Sequence, residues 1–192
     1  MDLLSLPTPN HLMLVIAPYA ARTAMLDLAA QLAAHGPLRV LDGGNQFNVY
    51  PVARSIRRHT PNLNAALQRI LLSRAFTCYQ MAVMLDEAAA TPIPPVPTLA
   101  LDLLATFYDE NVTLVESQRL LRGCLRQLQR LSQHAPVIVS VRPPAPICQE
   151  RIVLLEQLRQ ATNHIWEIQE PAPPDEEKKH GENPTLNYPG LY

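Results

Sequence analysis

An α/β domain, with a mostly parallel central sheet and helices on both faces, is the fold class that this sequence predicts. Three observations carry the expectation. Apolar runs of strand length alternate with longer segments of helical period. Several of those runs are apolar through consecutive positions, as strands covered on both faces must be. Proline clusters punctuate the alternation, one before the fourth strand and one after the fifth. In order, the strand candidates are residues 12–17 (LMLVIA), 38–43 (LRVLDG), 70–76 (ILLSRAF), 98–107 (TLALDLLATF), 137–142 (VIVSVR) and 164–170 (HIWEIQE). Helices are expected near 22–35, 51–58, 62–69, 78–90, 114–134 and 149–162. Strand-helix alternation of this kind implies right-handed crossovers and a parallel sheet.

The chain has 192 residues, which suits one domain with a substantial core. Hydrophobic residues make up 47% and charged residues 17%, a globular balance rather than a disordered one. A formal net charge of −1 supplies no general attraction to nucleic acid or to acidic membranes. Pro92, Pro94, Pro95 and Pro97 stiffen the approach to the fourth strand, and Pro143, Pro144 and Pro146 follow the fifth. Residues 1–170 are therefore expected to form the domain. Residues 171–192 are expected to form a proline-rich, charged C-terminal tail, because PAPPDEEKKHGE offers little apolar surface to bury. Within that tail Leu186, Tyr188, Leu191 and Tyr192 leave two options: a disordered end, or an extended segment lying on its own domain or on a neighbouring copy. Cys78, Cys124 and Cys148 form no CxxC pair and no disulfide framework, and no apolar run has the length of a membrane span. The opening MDLLSLPTPNH lacks the basic and apolar regions of a signal peptide, so a reducing cytoplasmic home is the expectation.

Several stretches, in order, resemble the core of RecA-type recombinases and their KaiC-like relatives. LDGGNQF (41–47) stands where such proteins carry an Asp-x-Glu-Gly-x-Phe pattern at a strand end. RAFTCYQM (74–81) is similar to the family's third strand and the helix after it. LALDLLATF (99–107) resembles the Walker B strand, which puts Asp102 in the magnesium position. RLLRGCLRQLQRL (119–131) and VIVSVR (137–142) are similar to the following helix and strand. The resemblance spans roughly residues 10–170 and implies a P-loop NTPase fold with a nucleotide site.

Departures from that pattern fall on the chemistry. A working P-loop, G-x-x-x-x-G-K-[ST], uses glycine for close backbone approach, lysine to bridge phosphates and a hydroxyl to bind Mg²⁺. Here the segment reads APYAARTAML (17–26), without glycine or lysine. Arg22 is the nearest cation and Thr23 the nearest hydroxyl. A guanidinium can pair with phosphate but does not fit the space of a P-loop lysine. The alternative role for Arg22 is to solvate or cap the first helical turn. The glutamate that the resemblance would make catalytic falls at Gly44, which has no side chain to act as a base. Asp42 can serve simply to cap the turn after its strand, and Asp102 to stand as a buried, hydrogen-bonded remnant. ATP and Mg²⁺ are thus expected to be absent as cofactors, and if nucleotide binds at all it would be through Arg22, Thr23 and Asp102. The segments matching the family's DNA-gripping loops, 107–116 and 142–150, are short, and the first holds three acids and no arginine.

Arg119, Arg122, Arg126 and Arg130 recur at intervals of three, four and four, which places them on one helical face. Leu121, Cys124, Leu125, Leu128 and Leu131 occupy the other face and should meet the sheet. The arginine stripe is either a contact surface for phosphates or an acidic partner, or a solvated face; Arg54, Arg57 and Arg58 form a smaller cluster of the same kind. The six histidines include no ligand-spaced pair, so no metal site is expected. The resulting expectation is a non-hydrolysing RecA-like domain acting through protein contacts. Its partner could be an active ATPase of the RecA family, and assembly with its own copies is compatible with the sequence. The link to DNA recombination or repair comes from the resemblance alone. Two alternatives stay open: a divergent ATP binder with slow or no hydrolysis, and a DNA-binding accessory using the arginine stripe.

Overall fold

The computed structural model describes residues 11–90 and 95–168; Pro92, Pro94 and the tail 171–192 lie outside the described residues. Six parallel strands form one sheet: β1 (Leu12–Ile16), β2 (Leu38–Asp42), β3 (Ile70–Arg74), β4 (Thr98–Leu101), β5 (Val137–Val141) and β6 (His164–Glu167). Their spatial order is β3-β2-β4-β5-β1-β6, with β1 in register against β5 from Leu12↔Val137 to Ile16↔Val141. The helices are α1 (Arg22–His35), α2 (Val49–His59), α3 (Leu63–Gln68), α4 (Cys78–Ala90), α5 (Leu114–Ser132) and α6 (Ile152–Ala161). The expected α/β class, with helices on both faces, is what the chain adopts.

Two cores result from the two-residue alternation of the strands. Leu12, Leu14 and Ile16 of β1, with Val137, Val139 and Val141 of β5, pack against α4, α5 and α6 through residues such as Met81, Leu121 and Leu154. Val15, Val40, Leu99 and Ile138 point to the opposite face and meet Leu26, Ala29 and Ala33 of α1 and Val52 and Ile56 of α2. The consecutive apolar runs are thus explained. Strands β2, β4 and β5 are buried at every position, so neither face can carry an exposed polar residue.

Helix boundaries follow local chemistry. Thr113 caps α5 by accepting from the Glu116 N–H at 3.3 Å, and Asn48 caps α2 by accepting from the Tyr50 N–H at 3.0 Å. Two expected elements are shorter than their apolar runs. The fourth strand ends at Leu101 rather than at 107, because Asp102 turns left-handed (φ 47°) and Leu103–Tyr108 wind into a 3-10 turn. Leu103, Leu104 and Phe107 are apolar because that turn is buried, not because it is extended. Likewise α6 begins at Ile152, after a 3-10 turn over Pro146–Arg151. Arg151 is buried there and donates to the carbonyls of Phe107 and Val112 at 2.7 Å each, tying this turn to the one after β4.

Candidate functional site at the carboxyl ends of the strands

In an open parallel sheet, a crevice opens where neighbouring strands send their connections to opposite faces. Strands β1 and β2 lead to α1 and α2 on one face, whereas β3, β4 and β5 lead to α4, α5 and α6 on the other. The switch therefore falls on both sides of β2 and between β1 and β5. Asp42 ends β2, Asp102 follows β4, Arg142 follows β5, Arg74 ends β3, and Arg22 opens the helix after β1. The fold brings the expected site residues Arg22, Thr23 and Asp102 to this one rim. The four arginines of α5 lie elsewhere.

Protein groups already engage both aspartates. The Asp42 carboxylate is fully buried and accepts from the N–H groups of Gln46 (2.8 Å) and Phe47 (3.0 Å) and from Arg74 Nε (3.0 Å). Arg74 is held in turn by donating to the Phe47 carbonyl at 3.1 Å. Asp102 is also fully buried, and its partners stand farther off. Its carboxylate faces the Arg142 N–H, Arg142 Nε and Gln46 Nε2, each at 3.4 Å. The Asp102 N–H donates to Ser140 Oγ at 3.1 Å. Burial pushes the Asp102 carboxyl above its ordinary pKa, against the opposing pull of the Arg142 charge. Burial, and then the nearby Asp102, also keep the Tyr108 hydroxyl protonated; it donates to the Arg142 carbonyl at 3.0 Å.

Gly43 and Gly44 owe their identity to this corner. Neither has positive φ, so space and not conformation excludes a side chain. A Cβ on Gly44 would lie 2.5 Å from both Cβ and Oδ2 of Asp102, and one on Gly43 would lie 2.8 Å from Met81 Cε and 3.0 Å from the Asp102 carbonyl. The space that a side chain at position 44 would occupy is filled by Asp102.

The loop after β1 has an unusual backbone. Tyr19, Ala20 and Ala21 all take left-handed φ near 52°, and α1 then starts from Ala21 without a side-chain cap. Successive left-handed turns crowd each Cβ against the following carbonyl, at about 1–2 kcal/mol per residue. Arg22 Nε donates to the Gln46 carbonyl at 3.2 Å, spanning from α1 to the β2 loop. Thr23 is exposed on the first turn of α1.

On α5 the two faces divide as the spacing predicts. Leu121, Cys124, Leu125 and Leu128 are buried, Leu131 is partly so, and the four arginines are exposed. Arg119 makes a bidentate pair with Glu116 at 2.7 Å and Arg130 donates to Gln127 at 3.0 Å. Sequence reasoning missed Arg74, Arg142 and Gln46. A signal existed for the two arginines: each closes an apolar strand run, ILLSR and VIVSVR, where a cation has no core to join.

Among the described residues no group of three or more His, Cys, Asp or Glu side chains could hold a metal ion, and no helix is long and apolar enough to cross a membrane. No protein-family model matches the chain, and comparison with curated proteins returns no match.

Proposed function

We propose that this chain is a non-hydrolysing RecA-like domain that works as a binding or accessory module. The observation that carries the proposal is the contact between Gly44 and Asp102. Position 44 is a glycine with Asp102 2.5 Å from where its Cβ would lie, so the chain carries no carboxylate there to orient an attacking water. The engagement of the groups that ATP and Mg²⁺ would call on supports the same reading. Asp102 is taken up by Arg142 and Gln46, Arg22 by the Gln46 carbonyl, and the left-handed loop presents the Cβ atoms of Tyr19, Ala20 and Ala21 in place of glycine backbone. The proposed partner is a protein, with an active ATPase of the RecA family as the first candidate, and recombination or repair as a setting drawn from the resemblance. A reducing cytoplasmic location belongs to the same proposal. The arginine face of α5 supports DNA as a second ligand class less well, because Arg119 is already paired with Glu116.

Isothermal calorimetry and phosphate release with ATP and Mg²⁺ test this directly. The expected outcome is no hydrolysis above the buffer rate and no binding tighter than about 1 mM, a threshold of about 4 kcal/mol. Turnover abolished in Asp102→Ala would overturn the proposal, and a micromolar affinity weakened tenfold in Arg22→Ala would replace it with the nucleotide-binding alternative.

A further inference from the structure

We infer that the β3 edge of the sheet is a docking site for this chain's own segment Thr185–Tyr188, added as an antiparallel strand. The inference does not depend on the nucleotide chemistry above. Strand β3 is the sheet's outer strand on one side and is apolar on a surface where an edge is normally blunted by charge. Leu71 and Leu72 are 44% and 42% exposed, and Phe76, just beyond the strand, is 70% exposed. The opposite edge, β6, also exposes Ile165 (45%), but it is flanked by His164 and by Glu167, which pairs with Arg159 at 3.0 Å.

Among the described residues no strand pairs with the outer side of β3. The Leu38 N–H donates to the Arg69 carbonyl and the Ala75 N–H to the Asp42 carbonyl, so the odd-numbered residues of this stretch turn their polar groups to β2. By strand alternation Ile70, Leu72 and Arg74 direct theirs outward. Beside them lies a groove of about 370 Å³, formed by Phe47, Val49 and Leu67 with the side chains of Ile70, Leu72 and Arg74. The occupant must therefore be an extended segment with apolar side chains two residues apart.

Charge narrows the choice. Residues 43–85 contain Arg54, Arg57, Arg58, Arg69 and Arg74 and no Asp or Glu. The chain beyond β6 supplies the complement, with Glu170, Asp175, Glu176, Glu177 and Glu182 against Lys178 and Lys179. Farther on, Leu186 and Tyr188 are two apart, bounded by Pro184 and Pro189, which cannot donate to a ladder and so set a segment of matching length. Reach is sufficient. Six strands put β3 about 24 Å from β6. The seventeen residue steps from Ile168 to Thr185 extend to about 56 Å. The six strands end on the same side, so a segment that joined β6 to the β3 edge would cross the carboxyl rim and pair antiparallel to β3.

Amide hydrogen exchange on the full-length protein, compared with its Leu186→Asp/Tyr188→Asp variant, tests the assignment. The Leu72 and Arg74 amides should exchange about tenfold faster in the variant, at every protein concentration, while core amides such as Val139 are unchanged. A Leu186→Val/Tyr188→Phe variant should keep the slow exchange. Equal rates in the full-length protein and the aspartate variant would overturn the proposal. Protection that grows with protein concentration would also overturn it, by assigning the edge to a second copy.

Discussion

Asp42 ends β2 and Asp102 follows the neighbouring β4 at the same rim, and both are fully buried, yet they are held in different ways. Asp42 has three donors between 2.8 and 3.0 Å, two of them from the backbone of its own turn. Asp102 has long contacts of 3.4 Å, a left-handed backbone, and a neighbouring glycine kept bare to make room for it. The first is a fixture of the fold: its carboxylate completes the turn that leads into α2. The second sits where burial works against its charge and where the chain bends unfavourably around it. Backbone strain and burial of this kind are the observations from which a functional hypothesis starts. That difference is why the functional proposal rests on Asp102 and not on Asp42.

Three substitutions break or sharpen the contrast. The largest effect is expected from Asp42→Ala, which strands two N–H groups and Arg74 at a buried corner. A loss of about 3 kcal/mol should appear as a lower urea midpoint, whereas a loss under about 1 kcal/mol would show that water replaces the carboxylate and would remove the distinction.

Gly44→Ala should lose about 2 kcal/mol, because the new methyl meets the rigid Cβ of Asp102. The informative measurement is the double variant with Asp102→Gly, which removes the obstructing atoms and tolerates the left-handed turn. Recovery of most of the loss would tie the glycine to Asp102; additive losses would separate them.

Asp102→Asn should have the smallest effect, and of opposite sign. Burial raises the folded pKa of this carboxyl above its unfolded value, so the folded state holds the proton more tightly. Stability then falls as pH rises through the folded pKa, when the buried group ionises. The neutral amide avoids that loss and also accepts a left-handed φ, giving a gain of about 1 kcal/mol near neutral pH. Thermal melts across the acid range should show the gain shrinking as pH falls and Asp102 protonates. A variant less stable at every pH would mean that the Arg142 pair outweighs desolvation.

Most of the framework was legible beforehand, because strands buried on both faces and helices buried on one leave different periods in the sequence. Strands β1, β2, β3 and β5 and helices α1 and α4 lie within a residue or two of their expected bounds. The misplacement at β4 has a physical cause. DLLATF is as apolar as a strand, but its burial comes from a 3-10 turn set off by the left-handed Asp102, and hydrophobicity does not record φ. The candidate site was half legible. The missing glycines and lysine, and the bare Gly44, could be read directly. Which aspartate each of Arg74, Arg142 and Gln46 meets could not, since Arg74 reaches Asp42, and Arg142 and the Gln46 side chain reach Asp102, across neighbouring strands.

What the sequence determined by itself, then, was the element order, the parallel sheet with two covered faces and the division of α5 into a leucine face and an arginine face. All follow from local periodicity, which any single segment carries. The tertiary structure alone decided which strands became edges, and so left Leu71 and Leu72 exposed in a run as apolar as any buried one. It also decided that Arg142 would face Asp102 and that Gly44 would be bare for want of space rather than for freedom of φ. These depend on strand order, which brings together residues tens of positions apart, and no local pattern encodes it.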